Sequence, residues 1–387
     1  MRQRISRAVS QHWHHPNYTL IGLLMITLAF GLVMLSSASS VAGFEKFDDP
    51  YYFVKRQLLY GVLLGLPAMW ALSRIDYHIW KKIAFPLMII NVVMLVMVVV
   101  PGIGAEFLGA RRWINLGGIL FQPSELVKLT FLLYLGLWLE SRQRSKAIHD
   151  VSTGFAPFMT MIGFLVLMIA GVQKDLGTMV VIAVIAIVAY YVAGAPWKHL
   201  GVIFAAGSAV LLFLVKILPI FIPSFEYRAQ RLTVFLNPDL DPLGVGFHIN
   251  QALLAIGSGG LFGLGLGHSR QKFNYLPEVS TDSIFAVVAE EMGFIIAISL
   301  VALYLGIMWQ GIQVAKAAPD YFGKIVAAGI VTWITFQAVV NIMAMLSLLP
   351  LTGIPLPFVS YGSTSMATLL ASVGILINIS RQTNQAH

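Results

Sequence analysis

Tyr275-Leu-Pro-Glu-Val-Ser-Thr-Asp-Ser-Ile-Phe-Ala-Val-Val-Ala-Glu-Glu-Met-Gly293 changes character at Ile284, from polar and irregular to apolar. The apolar run continues for about 25 residues, enough to cross a bilayer as a helix. Asp282 then sits at the mouth of a membrane helix, and either it or Thr281 can cap the first turn. A carboxylate there can titrate, bind a cation or accept a proton. It can equally be a solvated residue at a helix start. Glu290 and Glu291 fall inside the apolar run, where ionisable groups are costly and usually functional. Residues eight apart differ by roughly 80° around an ideal helix, so Asp282 and Glu290 are expected to face the same half of a bundle.

The rest of the chain agrees with a membrane reading. Its 387 residues are 58% hydrophobic and 11% charged, with mean hydropathy +0.81. A soluble domain carries about a quarter charged residues. Long unbroken apolar runs lack the period-2 alternation of a membrane barrel. The expected fold is therefore an all-α integral membrane protein. There is no cysteine, which excludes disulfides and thiolate metal sites. The net charge of +8 is not a nucleic-acid signal here, because basic residues in membrane proteins mark cytoplasmic loops.

About ten transmembrane helices are expected: Tyr18–Ser37, Gln57–Leu72, Ile83–Val100, Ser124–Leu139, Phe155–Gly171, Leu176–Ala193, Leu200–Ile222, Ile284–Val314, Gly323–Leu349 and Phe358–Ile379. The N-terminal run reads as a retained signal anchor behind a cytoplasmic tail, residues 1–17. Arg74, Lys81, Lys82, Arg142, Arg144, Lys146, Lys198, Lys316 and Lys324 fall on one side, with both termini. That side is read as cytoplasmic. The outer side holds most carboxylates and a large extracytoplasmic loop, residues 223–283, between helices 7 and 8. The whole chain, 1–387, reads as one polytopic domain. The loop contains a helical candidate, Gly246 to Leu261, and the glycine-rich Gly257–Gly267. Those glycines suit either amide approach to a pyrophosphate or a re-entrant turn.

Several polar segments come out on the outer face. Arg111 and Arg112 can bind phosphate, unless they meet lipid headgroups, and Trp113 suits an interface or a sugar face. Glu125 and Lys128 stand at i, i+3 and can form an ion pair. Asp175 either caps a helix ahead of Thr178 or faces Lys128. Lys216 is expected to snorkel. Gln337 and Asn341 are expected to hydrogen-bond across helices. Thr352-Gly-Ile-Pro-Leu-Pro-Phe-Val-Ser-Tyr-Gly-Ser-Thr-Ser365 places two prolines near Ser360 and Tyr361, implying broken helical geometry or a simple kink. Cations and carboxylates together suit an anionic, lipid-anchored substrate and a proton acceptor.

These segments resemble the SEDS family of bacterial cell-wall proteins (shape, elongation, division, sporulation). The pieces that carry it are Gly109-Ala-Arg-Arg-Trp-Ile, Gln122-Pro-Ser-Glu-Leu-Val-Lys, Asp175-Leu-Gly-Thr, Tyr275-Leu-Pro-Glu with Thr281-Asp282, Glu290-Glu-Met-Gly and Pro355-Leu-Pro-Phe-Val-Ser-Tyr-Gly. Phe235-Leu-Asn-Pro-Asp and Gly265-Leu-Gly-His-Ser-Arg-Gln-Lys-Phe-Asn-Tyr look closer to the division-type members than to the elongation type. The resemblance implies a peptidoglycan glycosyltransferase that polymerises lipid II and releases undecaprenyl diphosphate, in division or elongation. It implies that Asp282 is the essential outer-loop aspartate and that Glu125 and Lys128 are the buried polar pair.

As the site, the residues above and the resemblance give catalytic Asp282 and substrate-binding Arg111, Arg112, Trp113, Glu125, Lys128, Asp175, Thr178, Glu290, Ser360 and Tyr361. A divalent cation, Mg²⁺ or Mn²⁺, has a place in such chemistry, with its ligands unassigned; no organic cofactor is expected. Expected partners are lipid II, the nascent glycan strand, a class B penicillin-binding protein and other division or elongation membrane proteins, with no nucleic acid. The expected location is the bacterial cytoplasmic (inner) membrane. Ser280, Ser283, Lys174 and Ser363 depart from the usual family residues, so the polarity around Asp282 differs. Two rival readings remain. A lipid II transporter would carry polar residues through mid-membrane, and a non-catalytic scaffold would be inert when isolated.

Overall fold

The computed structural model describes residues 14–107, 110–117, 119–212, 234–235, 241 and 244–383. The N-terminal arginines, Lys216, the second half of the seventh expected span and most of 223–243 lie outside them. So does most of Phe235-Leu-Asn-Pro-Asp.

Helix α1 (Tyr18–Ala38) starts where the Asn17 side chain accepts the Leu20 N–H at 2.9 Å. Next come α2 (Ser40–Phe47) and α3 (Tyr52–Arg56), which runs through a π-helical turn, Gln57–Val62, into α4 (Leu63–Arg74). After α5 (Ile79–Met97) and a small sheet, α6 (Pro123–Arg144) opens with proline in its first turn, where no N–H is needed. The sequence continues through α7 (Ala156–Val166), α8 (Leu176–Val192), α9 (Trp197–Leu212) and α10 (Val245–Ser258). It ends with α11 (Ile284–Ala317), α12 (Tyr321–Met345) and α13 (Ser363–Arg381). Among the described residues, six helical stretches are long and apolar enough to cross a bilayer. The apolar windows of α12 and α13 are 72% and 78% buried, against 22% for α5. The centre of the bundle is therefore α12 and α13, and α5 shows most of its surface outward.

Two expectations about local structure need correction. The fold is not purely α-helical: Gly104–Phe107 (β1), Ala110–Leu116 (β2) and Ile119–Phe121 (β3) form an antiparallel sheet in the order β1-β2-β3. Ile114 pairs with Gly104 on one side and Phe121 on the other. The register shifts between Ala105 and Glu106, so Arg112 is an extra residue of β2 between the pairs Ala105–Trp113 and Glu106–Arg111.

The run from Ile284 is also not one continuous helix. Gly293 sits at φ 76, ψ 178 and breaks α11 after about nine residues. The orphaned backbone groups are repaired by the glycine-rich segment. Leu264 and Gly265 N–H donate to the carbonyls of Glu290 and Glu291 at 3.0 and 2.9 Å, while Phe294 and Ile295 N–H donate to Gly260 and Leu261 at 2.9 and 3.2 Å. This satisfies the rule that backbone polar groups at membrane depth find partners within the protein. The glycines of 257–267 serve this crossing. They let two backbones cross, and a Cβ on Gly293 would lie 2.3 Å from Gly263 N. Gly293→Ala is expected to cost at least about 1–3 kcal/mol from the backbone conformation alone. A lowered melting temperature of the purified protein checks this.

A polar cluster ties the far ends of α6 and α11. Asp320 caps α12 through Gly323 N–H at 2.8 Å and also meets Tyr77 Oη at 2.9 Å, Lys81 Nζ at 2.6 Å and His78 Nε2 at 3.2 Å. Lys81 reaches Glu140 at 2.9 Å. Burial raises the Asp320 carboxyl, but hydrogen bonds from His78 and Lys81 outweigh it and hold the group well below the usual range. The hydrogen bond to Asp320 raises His78 above its usual value, against desolvation and with help from Asp76. A raised histidine stabilises the fold fully below its unfolded value, and that contribution is lost as pH rises through the folded value. The His78 side chain is 36% exposed, so the loss should stay under about 1 kcal/mol. Melting temperature should fall modestly as pH rises above neutral, and His78→Gln should flatten the slope.

Candidate active site

A cavity of roughly 500 Å³ opens between the start of α6, the start of α8 and the irregular segment ahead of α13. Its floor comes from α6. Glu125 and Lys128 both point inward from the first turns, and Lys128 Nζ lies 2.6 Å from Glu125 Oε1. The pair is 5% and 2% exposed. Lys128 also stands 4.9 Å over the ring of Trp333. Glu125 Oε2 is buried and has no hydrogen-bond donor among the described residues. The residue itself lines the cavity.

Asp175 and Thr178 line the same cavity. Of the two open readings for Asp175, the cap is correct: its side chain accepts Thr178 N–H and Thr178 Oγ1, both at 3.0 Å. Gln122 Nε2 reaches its other side at 3.4 Å. Arg112 lines the cavity too, yet its guanidinium donates to the carbonyls of Gln173 and Lys174, at 3.4 and 2.6 Å. It clamps the turn that carries Asp175. Arg111 is exposed and donates to Val99 O at 3.4 Å. Trp113 lines the cavity wall.

Asp282 is half-buried just before α11, and its neighbours Thr281 and Gly353 line the cavity. Three groups fix the backbone here. Asn341 Nδ2 donates to Asp282 O at 2.7 Å and to Ile354 O at 2.8 Å. Ser360 Oγ donates to Thr281 O, and Tyr361 N–H donates to Ser280 O at 2.8 Å. Gln337 Nε2 donates to Pro355 O at 2.9 Å. Gln337 and Asn341, both on α12, thus reach across to irregular backbone rather than to side chains of other helices. Residues 346–362 are non-helical, so the segment is broken geometry rather than a kink. Tyr361 lines the cavity, whereas Ser360 is a buried fastener.

The hydroxyl of Thr281 lies 2.9 Å from Glu278 Oε2 and 3.3 Å from Asp282 Oδ1, so two carboxylates meet around one threonine. Ser283, beside Asp282, donates to Pro277 O at 2.7 Å and meets His248 Nε2 of α10 at 2.6 Å.

Like Asp282, Glu290 is not itself among the residues that line the cavity. It receives Ser269 Oγ and, at 2.9 Å, Arg270 N–H. Glu291 pairs with Lys272 at 3.1 Å and accepts from Ser37 at 2.7 Å. The two glutamates pin the segment after the glycine crossing. The break at Gly293 and the folded-back loop decide their surroundings, and an ideal helix knows nothing of either.

Sequence reasoning missed Lys46, Arg56, Tyr60, Gln122 and Glu278 as lining residues. The polar trio Lys55-Arg56-Gln57 at the mouth of an expected span was an available signal. Gln57 is fully buried and fastens Gly362 N–H at 3.0 Å.

Comparison with known proteins agrees with this picture. Stage V sporulation protein E of Bacillus subtilis (strain 168) is 42% identical over 371 residues, covering 95% of this chain and 97% of that protein. A probable peptidoglycan glycosyltransferase FtsW from Geobacter sp. (strain M18) is also 42% identical, covering 94% and 96%. Among solved structures, a chain of a peptidoglycan synthase complex that coordinates polymerisation and crosslinking matches with TM-score 0.75 and 28% identity, over 95% of this chain and 98% of that one. RodA of Thermus thermophilus matches with TM-score 0.65 and 28% identity, over 96% and 99%. The family model described as cell cycle protein, covering FtsW, RodA and SpoVE, matches residues 17–385. The chain belongs to that family.

Proposed function

We propose that the chain is a peptidoglycan glycosyltransferase that polymerises lipid II, with Asp282 as general base. The observation that carries this reading is the cavity: a carboxylate loop held by three separate fasteners at the edge of a space lined by cations, carboxylates and aromatic rings. The family's relatives named as glycosyltransferases support the reaction class. Asp282 takes the proton from the 4-hydroxyl of the acceptor sugar as that oxygen attacks C1 of the lipid-linked strand. The C1–O bond to the diphosphate breaks with inversion, and undecaprenyl diphosphate leaves with the electron pair. Glu125, on the cavity lining, offers a carboxylate acceptor for a substrate hydroxyl or amide. Trp113 offers a flat face to a sugar.

In this reading the chain crosses the bacterial inner membrane about ten times, with both termini cytoplasmic and the cavity outward. The large loop between helices 7 and 8 is extracytoplasmic. The partners are lipid II, the growing strand and a class B penicillin-binding protein; the match to a synthase complex supports the last. Among the described residues no three His, Cys, Asp or Glu side chains cluster as metal ligands. Glu278, next to the base at Asp282, still supplies a carboxylate, which fits Mg²⁺ or Mn²⁺ carried in on substrate phosphates. Bound there, such an ion would neutralise charge on the leaving diphosphate. Chelation should then lower the rate, and Glu278→Gln should raise the Mg²⁺ concentration needed for half-maximal rate.

The test is purified chain with lipid II in detergent micelles. Glycan strands on a gel support the reading. Strands only with a second polymerase present would favour a scaffold, and transfer of lipid II between liposome leaflets without diphosphate release would favour a transporter.

A further inference from the structure

The cations first read as phosphate ligands have partners elsewhere: Lys128 pairs with Glu125, Arg112 donates to two carbonyls, and Arg111 donates to the Val99 carbonyl. The cavity contains another. Arg56 closes α3, immediately before the π-helical turn, and lines the cavity. π-turns recur at functional sites because they re-aim side chains. The Arg56 guanidinium lies 5.3 Å from the Tyr52 ring and 5.8 Å from the Tyr60 ring. It also hydrogen-bonds the phenol of Tyr361, whose N–H fastens Ser280, two residues before Asp282. Lys46 stands at the same cavity.

A guanidinium held against aromatic faces keeps a fixed orientation and donates from its edge. That geometry suits bidentate recognition of phosphate. We infer that Arg56, with Lys46 beside it, is the contact for the diphosphate of the lipid-linked donor and for the diphosphate product. This rests on the glycosyltransferase reading above. As C1–O cleaves, the bond's electron pair passes to the diphosphate oxygen, and Arg56 meets the added charge. Tyr361 couples that anion site to the loop bearing Asp282, so the leaving group and the base are set by one connected scaffold.

The experiment measures binding of undecaprenyl diphosphate, and of uncharged undecaprenol as control, to wild type, Arg56→Met, Arg56→Lys and Asp282→Asn in micelles. Lipid II polymerisation is followed in parallel. Arg56→Met is expected to weaken diphosphate binding roughly 10- to 100-fold and leave undecaprenol unchanged. Arg56→Lys, which keeps the charge but loses the fork, should fall between. Asp282→Asn should bind diphosphate like wild type. Unchanged diphosphate binding in Arg56→Met, or an equal loss for undecaprenol, overturns the inference. If Arg56→Met does not fold, Arg56→Lys decides: wild-type binding and turnover in that variant contradict bidentate recognition. A wild-type protein that makes no strands would instead sink the glycosyltransferase reading, whatever Arg56 binds.

Discussion

Asp282→Asn should lower glycan-strand formation by about 10²- to 10⁴-fold while leaving substrate binding and the melting temperature close to wild type. The substitution keeps the size of the side chain and removes only its capacity to take a proton. The backbone at this position is held by Asn341 and Ser360, through the carbonyls of Asp282 and Thr281, so an amide side chain should not move the loop. Asp282→Glu should recover part of the rate, since the longer carboxylate can still accept a proton from a displaced position. A variant that loses diphosphate binding together with turnover would point to a binding role for Asp282 instead. The measurement is strand length and diphosphate release from labelled lipid II, with thermal melting as the control for folding.

The second large effect concerns Glu125 and Lys128. Removing one partner of a buried ion pair leaves the other charge uncompensated, which typically costs about 3–5 kcal/mol. Both Lys128→Met and Glu125→Leu should therefore melt far below wild type. The double variant should regain much of the lost stability, because apolar replacements of a buried pair are often tolerated. Lys128→Met and the double variant also lose the cation over the Trp333 ring. Activity should not return in the double variant, since the cavity floor has then lost both its charge and the Glu125 acceptor. Stability recovering without activity separates the structural work of the pair from its work on substrate. Recovery of both would mean that the pair only fills space.

The membrane character of this fold was legible because burial in lipid demands long apolar runs, and those survive in plain composition. The first turn of α6 was legible for the same kind of local reason: Gln122-Pro-Ser-Glu-Leu-Val-Lys128 contains its own start signal and its own ion pair. Asp175 and Thr178 likewise carry a capping spacing that needs no tertiary information. The break at Gly293 was not legible, since hydropathy does not register φ. Its necessity comes from a glycine segment about 30 residues upstream that must cross it. The sheet at 104–121 was hidden because three short strands joined through glycines resemble a polar loop in composition. Arg56 was overlooked because it stands at the edge of an apolar run, where a basic residue ordinarily marks only the membrane surface. Its aromatic neighbours at 52 and 60 become visible as a group only when the helix and its π-turn bring them together.

The central claim is that this chain, by itself, forms glycosidic bonds at the cavity beside Asp282. The most direct measurement counts undecaprenyl diphosphate released per disaccharide added when purified wild-type chain and Asp282→Asn are given lipid II with no other polymerase present. The account predicts one diphosphate per disaccharide with wild type, and next to none with Asp282→Asn. Equal release by both proteins, or consumption of lipid II with no diphosphate formed, would contradict it.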